Sequence, residues 1–453
     1  MCFKPVLRDF RSVSVIGLGY IGLPTAVIAA KSDFRVYGQD ISKERIEKIN
    51  NSSSILLEEE LNDFLKDVLK NGVFSVGKIL EPADYFLICV PTPLKNGKVD
   101  LSAVFGAAEN VSKVIRPGNV VILESTVPVG VTRILAKKIE QKSGLKVGKD
   151  FFVAHCPERV IPGAISKELV ENHRVIGGFT RECARKACFF YKAFSKGDLH
   201  ETDLETAEMV KLVENSCRDV QIAFANQVAQ MCGEAKINTH RVIELANHHP
   251  RINILRPGPG VGGHCIAVDP QFLVNAFPEK TELIKSARRL NDDVPIRLCN
   301  QAETLCKSFF SKFERLPKVL VLGVTYKPDV DDLRESPSLK IAKNLSEKKS
   351  LCHVKVCEPN LETSVLEMHG LKVVVDFFMG IKCSDIVLIL VPHKEFKILR
   401  KSALDGKKVI DPTGFLYRLG NFGSDFWEKK EHETSLCDKG EDKRKECIDT
   451  SSV

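Results

Sequence analysis

A strand running into the glycine turn Val15-Ile-Gly-Leu-Gly-Tyr-Ile-Gly22 opens this chain, and the same strand order returns near residue 318. Residues 12–16 read as a largely apolar strand that ends at the turn, 23–31 carry a helical pattern, and 34–38 form a second strand closed by Asp40. Short apolar runs follow at 85–90, ending in Pro91-Thr92-Pro93, at 120–123, ending in Glu124-Ser125-Thr126, and at 151–154, ending in His155-Cys156-Pro157-Glu158. Far downstream, 318–323 echoes 12–17, and 354–358 echoes 34–40. DIVLILVP at 385–392 echoes DYFLICVP at 84–91, and 409–413 stands where 121–126 stood. Continuous apolar strands alternating with helices require a parallel sheet covered on both faces. The expectation is an α/β chain of two doubly wound, Rossmann-like domains. Met209, Leu212, Val213, Ser216, Val220, Ala223 and Phe224 recur at helical spacing through a proline-free 206–231, which predicts one long central helix joining them. The expected division is 1–200, 201–305 with a dimerising helical region, 316–425, and a charged tail at 426–453 read as disordered.

The first turn has the spacing of a dinucleotide cradle. Gly17, Gly19 and Gly22 let backbone approach a pyrophosphate at a helix N-terminus, with Tyr20 and Ile21 between them. Asp40 closes the next strand, where a carboxylate binds ribose hydroxyls. An acid there with no arginine directly after it favours NAD over NADP, because it repels a 2′-phosphate. Pro91, Thr92, Ser125 and Thr126 sit on strand-end loops, where ligands of such sheets bind. The second turn, Gly323-Val-Thr-Tyr-Lys-Pro328, lacks the later glycines and is expected to hold something other than a dinucleotide.

One cysteine stands apart from the rest. The chain has 15 cysteines, odd in number and without zinc spacing, so a reduced, metal-free chain with mostly core thiols is expected. Cys265, however, lies in Arg256-Pro-Gly-Pro-Gly-Val-Gly-Gly-His-Cys-Ile-Ala-Val-Asp-Pro270. Its glycines offer free amides to a thiolate and a neighbouring oxyanion. A structural thiol is the plainer reading, but a packed core has no use for four glycines at one place. Lys211 and Asn215 share a helix face and suit developing alkoxide charge, although most lysines are solvated surface charges. Asp269, four residues after the cysteine, and Glu158 are acid–base candidates. Thr126 places a hydroxyl or a water near the cofactor. His264 is discounted, since neighbours in sequence point apart. A net charge of +7 on 453 residues does not call for nucleic acid. Residues 1–11 lack a signal-peptide apolar core, and the longest apolar runs are strand-length, so a cytoplasmic chain without a membrane partner is expected.

Taken together, VIGLGYIGLP, CVPTP, ESTVPVG, CPERVIPG, AEMVKLVENSCRDV, PGPGVGGHCIAVDP and YKPDVDDLRESPS resemble the UDP-glucose/GDP-mannose dehydrogenase family over about residues 13–415. CPERVIPG, NHRVIGG and HPRINILRPGPGVGGHC look most like the members acting on UDP-N-acetyl-D-mannosamine to supply a uronic acid for surface polysaccharide. The resemblance implies a UDP-sugar substrate, two NAD per turnover and a homodimer or higher homo-oligomer. It assigns Cys265 as the nucleophile that forms hemithioacetal and thioester, and Lys211 and Asn215 as oxyanion holders. Asp269 becomes the partner of the thiol, Glu158 the acid of thioester hydrolysis, and Thr126 the water positioner. Arg159, Lys211, Asn215, Arg251, Gly262, Lys327 and Arg334 are implied to contact substrate, Lys327 and Arg334 through its nucleotide half. Two departures argue against glucose: Pro162 replaces a second acid after Glu158, and Asp411-Pro-Thr-Gly-Phe415 lacks an arginine found near the last strand. Another UDP-hexosamine such as UDP-N-acetyl-D-glucosamine, a two-electron dehydrogenase and an NAD-binding sensor without turnover all stay open from the residues alone.

Overall fold

The computed structural model describes residues 11–52, 58–160, 163–263 and 265–420. The expectations placed on the first ten residues, Pro162, His264 and the charged tail therefore lie outside the described residues. Eight strands build the larger sheet: β1 Ser12–Ile16, β2 Arg35–Gln39, β3 Phe74–Gly77, β4 Tyr85–Ile88, β5 Val120–Leu123, β6 Phe152–His155, β7 Arg174–Gly178 and β8 Leu199–Asp203. Their spatial order is β8-β7-β6-β5-β4-β1-β2-β3. All neighbours run parallel except β6 and β7. The order reverses between β1 and β4, so the loops above that gap form the crevice where such sheets take ligands.

Every residue of β4, β5 and β6 is buried, as expected of strands covered on both faces. Helix α1, Gly22–Lys31, is buried from Gly22 through Ala30, so it is apolar all round and sandwiched. The apolar runs show all of this. They do not show β3, β7 or β8. Leu199-His-Glu-Thr-Asp203 has one apolar residue and lies mostly exposed at the sheet edge, where polar residues discourage further pairing.

The chain divides into two compact units, and helix α2, Leu204–Glu234, and helix α4, Glu282–Phe313, each pass from one to the other. The first unit takes 1–224, 261–293 and 332–335, so it contains the larger sheet, the start of α2 and helix α3, Asp269–Ala276. The second unit contains a four-stranded parallel sheet of β9 Lys318–Leu322, β10 His353–Cys357, β11 Ile386–Ile389 and β12 Lys408–Ile410, in the order β10-β9-β11-β12. That order repeats β2-β1-β4-β5 of the larger sheet, as the sequence echo requires. Two Rossmann-like sheets and a long central helix are therefore present. Among the described residues, eight of twelve cysteines are buried and none is paired in a disulfide.

Candidate active site

The glycine turn is built to leave a gap. Gly17 has φ +90°, and a Cβ there would stand 2.8 Å from the Cys89 carbonyl oxygen. A Cβ on Gly22 would fall 1.9 Å from the Gly17 carbonyl oxygen. Gly19 faces outward, meeting only the tip of Arg45 at 3.5 Å. The N-terminus of α1 has no side-chain cap and no acid in its first turn, which suits an anion there. Tyr20 and Ile21 are half-buried beside it. Asp40 is nearly enclosed: Oδ2 accepts from the Leu18 amide at 2.9 Å, Oδ1 from the Ser42 amide at 2.9 Å, and Arg45 lies 3.8 Å away. The carboxylate stays where a 2′-phosphate would have to go. These residues fit NAD: α1 would hold the pyrophosphate and Asp40 the ribose.

The strand-end loops are tied to one another. The Ser125 hydroxyl donates to the Val90 carbonyl at 2.7 Å, and the Thr92 hydroxyl to the Thr126 carbonyl at 2.8 Å. Pro91 is exposed above them. Glu208, fully buried on α2, accepts from Gly130 N at 2.5 Å and from Thr132 N at 2.7 Å. The loop carrying Thr126 is thereby fastened to the helix carrying Lys211.

Cys265, Lys211, Asn215 and Asp269 come together within the first unit. Helix α3 begins at Asp269, and the Cys265 carbonyl accepts the amides of Val268 at 3.0 Å and Asp269 at 2.8 Å. The Asn215 amide group donates to Asp269 Oδ2 at 2.5 Å. Protein packed around the sulfur, then the Asp269 charge, pushes the Cys265 thiol up to about 11 although the residue keeps an exposed face. Lys211 and Arg334 pull it the other way. Burial raises Asp269 to about 6 against the Asn215 hydrogen bond and the Lys211 charge.

The loop therefore corrects one expectation. Gly260 and Gly263 do have positive φ, +122° and +81°, but the Gly263 amide is taken by the Arg334 carbonyl at 3.0 Å. That amide is therefore not offered to the sulfur, and burial and the Asp269 charge favour the protonated thiol. Gly262 is half-buried between those two glycines.

Glu158 and Arg159 follow β6. Glu158 Oε2 pairs with Arg174 at 3.0 Å, and Arg159 reaches Glu214 on α2 at 3.1 Å. Arg334, grouped by sequence with Lys327, instead lies in the first unit with its guanidinium forked onto Asp332. Lys327 and the exposed Arg251 belong to the second unit. Sequence reasoning quoted the segments holding Glu124 and Arg174 without singling out either residue. A carboxylate and a guanidinium inside otherwise apolar strand ends were the signal available.

The second sheet uses its own strand-end acid differently. Glu358 ends β10 as Asp40 ends β2, and its Oε2 accepts from Val324 N at 2.8 Å and Thr325 N at 3.2 Å. His393, wholly buried, meets that same oxygen through Nε2 at 3.0 Å, while its Nδ1 accepts from Asp329 N at 3.0 Å. The carboxylate thus pins the loop that bears Lys327 and carries the His393 contact, which Asp40 does not have.

Models of the UDP-glucose/GDP-mannose dehydrogenase family match three stretches in order: the NAD binding domain at 11–195, the central domain at 205–293 and the UDP binding domain at 320–417. The chain belongs to this family. It is an NAD-dependent nucleotide-sugar dehydrogenase, and the turn at Gly17, Gly19 and Gly22 fits the cofactor. A Campylobacter jejuni UDP-N-acetyl-D-mannosamine dehydrogenase is 42% identical over 401 residues, covering 86% of this chain and 97% of its own. An NDP-N-acetyl-D-galactosaminuronic acid dehydrogenase of Ralstonia solanacearum is 41% identical over 414 residues, covering 90% and 96%. The solved UDP-D-ManNAc dehydrogenase of Pyrococcus horikoshii superposes with a TM-score of 0.81 at 38% identity, covering 89% and 96%. No helix among the described residues of this family member is long and apolar enough to cross a membrane.

Substituting Gly22→Ala in it should lower NAD affinity by about 100-fold or more, since backbone meets the added carbon and cannot yield. Titration followed by NADH fluorescence checks this, and near-normal affinity would refute the cradle.

Proposed function

We propose that this protein oxidises C6 of UDP-N-acetyl-D-mannosamine to the carboxylate in two two-electron steps, with Cys265 holding the carbon between them. The observation that carries the reading is the grouping of Cys265, Asp269 and Asn215 around the start of α3, within the field of Lys211. NAD, when bound, supplies the hydride acceptor for each oxidation, two per sugar. Lys211 and Asn215 stabilise the alkoxide as the alcohol gives its proton to solvent water. The Cys265 sulfur then bonds to the aldehyde carbon, and Asp269, ionised above about pH 6, takes the thiol proton. After the second oxidation water adds to the thioester, with Glu158 and Thr126 orienting it. The C–S bond breaks, and a proton returns to sulfur.

In this reading 1–200 serve NAD, 201–305 carry the cysteine and the subunit contacts, and 316–425 hold the UDP half through Lys327. Arg159, Arg251 and Gly262 are further substrate contacts, and Arg334 joins Lys327 on the nucleotide half. Val213, Phe224 and Met231 are large apolar side chains half-exposed along α2, which supports a homo-oligomer that covers them, checked by sedimentation. The product is a uronic acid suited to surface polysaccharide, made in the cytoplasm. A galacto-configured substrate is the second reading, favoured by the Ralstonia relative's equal similarity.

A panel of UDP-ManNAc, UDP-GlcNAc, UDP-GalNAc and UDP-glucose should give about two NADH per sugar with the true substrate, strongest for UDP-ManNAc. One NADH per sugar would reduce the enzyme to a two-electron dehydrogenase. Binding of both ligands with no NADH at all would make it a sensor.

A further inference from the structure

Beneath the end of β6 lies a buried polar cluster of which the reaction as described uses only Glu158. Glu158 is only 8% exposed, and its two oxygens are both engaged: Oε1 by the Arg159 amide at 2.7 Å, Oε2 by Arg174 Nη1 at 3.0 Å. Arg174, at 4% exposure, anchors Nη2 on the Leu169 carbonyl at 2.9 Å. Its guanidinium lies 4.6 Å from the centre of the Tyr191 ring and 5.8 Å from that of Phe194. The Tyr191 hydroxyl in turn donates to Glu124 Oε1 at 2.7 Å, and the Cys89 thiol donates to Glu124 Oε2 at 3.1 Å.

Two carboxylates and one guanidinium therefore share an interior, which holds only as many charges as it can pair. Burial, and then the Glu158 charge, raises Glu124 to about 7, against Arg174 and the bonds from Tyr191 and Cys89. Burial pushes the neighbouring Cys156 thiol up to about 12, so that group stays neutral. The guanidinium thus bonds Glu158, while Glu124 holds its proton more readily than an ordinary carboxyl. A buried ion pair is often no more stabilising than an apolar replacement. Geometry gives this one another use: it fixes the orientation of the Glu158 carboxylate.

We propose that Arg174, packed against the Tyr191 ring, is a positioning residue that keeps the Glu158 carboxylate aimed for thioester hydrolysis. This rests on the role given above to Glu158. In the step concerned, water oxygen bonds to the thioester carbon, the C–S bond breaks and the water proton ends on sulfur. Without Arg174, Glu158 loses the partner that sets its orientation, and that step alone slows.

The test compares Arg174→Lys, Tyr191→Phe and Glu158→Gln in the full enzyme with NAD and the UDP-sugar the panel selects, by steady-state kinetics and intact mass during turnover. Arg174→Lys keeps the charge but loses the two-point fork. It should lower kcat by about 10- to 100-fold, leave KM for both ligands within about twofold, and accumulate the sugar as a thioester on Cys265. Tyr191→Phe removes one hydroxyl and should act in the same direction, less strongly; it carries the test if Arg174→Lys fails to fold. Thioester accumulation in Glu158→Gln but in neither of the other two would overturn this inference and leave the parent reading intact. A Glu158→Gln enzyme with normal kcat and no accumulated thioester would instead remove the role of Glu158 itself.

Discussion

Serine in place of Cys265 should cut formation of the free uronic acid by about 1000-fold or more while leaving binding of NAD and UDP-sugar nearly unchanged. The serine hydroxyl is a far weaker nucleophile, so the aldehyde carbon is not captured and the second oxidation lacks its substrate. The first oxidation and its reversal need Lys211 and Asn215 rather than sulfur. The variant should therefore still reduce added UDP-sugar aldehyde with NADH. Mass spectrometry of the wild-type protein under turnover should find the sugar attached at position 265, and the variant should show no adduct. A serine enzyme that releases acid at the wild-type rate would remove the covalent step altogether.

The second large effect has two readouts that move in opposite directions. Asp269→Asn should lower turnover by about 100- to 10,000-fold, because the group that takes the thiol proton is gone. Alkylation of Cys265 by iodoacetamide should nevertheless become faster at fixed pH. After the packing around the sulfur, the Asp269 charge is the largest influence holding the thiol up to about 11, and removing it lowers the thiol toward its ordinary range. The sign follows directly. In the wild type the thiol is protonated throughout the neutral range, so alkylation should rise with pH up to about 11, and in the variant the whole curve should shift to lower pH. A misfolded protein would lose turnover too, but it would not give a shifted curve of the same shape. Unchanged alkylation would mean that Asp269 and the sulfur do not feel each other.

Much of the fold was legible because the signals are local. The buried strands are continuous apolar runs, and the second sheet announces itself by repeating the order of the first. The edge strand Leu199–Asp203 was not legible, since a strand held mainly by backbone pairing needs no apolar alternation. In the candidate site, Cys265 and Asp269 are four residues apart and share one helix start, so spacing alone associates them. Arg334 shows the limit: its sequence neighbourhood points to the nucleotide motif, whereas its carbonyl lies on the cysteine loop. Counting glycines has the same limit, since it does not show that the Gly263 amide is already bonded.

The sequence by itself determined the glycine cradle, the acid that follows it and the choice of one cysteine among fifteen, because each is a requirement of the backbone within a few residues. Only the tertiary structure decided that Glu124, Glu158, Arg174 and Tyr191 meet, that Glu358 meets His393, and which groups hold protons. Those outcomes depend on burial and on charges brought together from distant parts of the chain, and neither has a local signature.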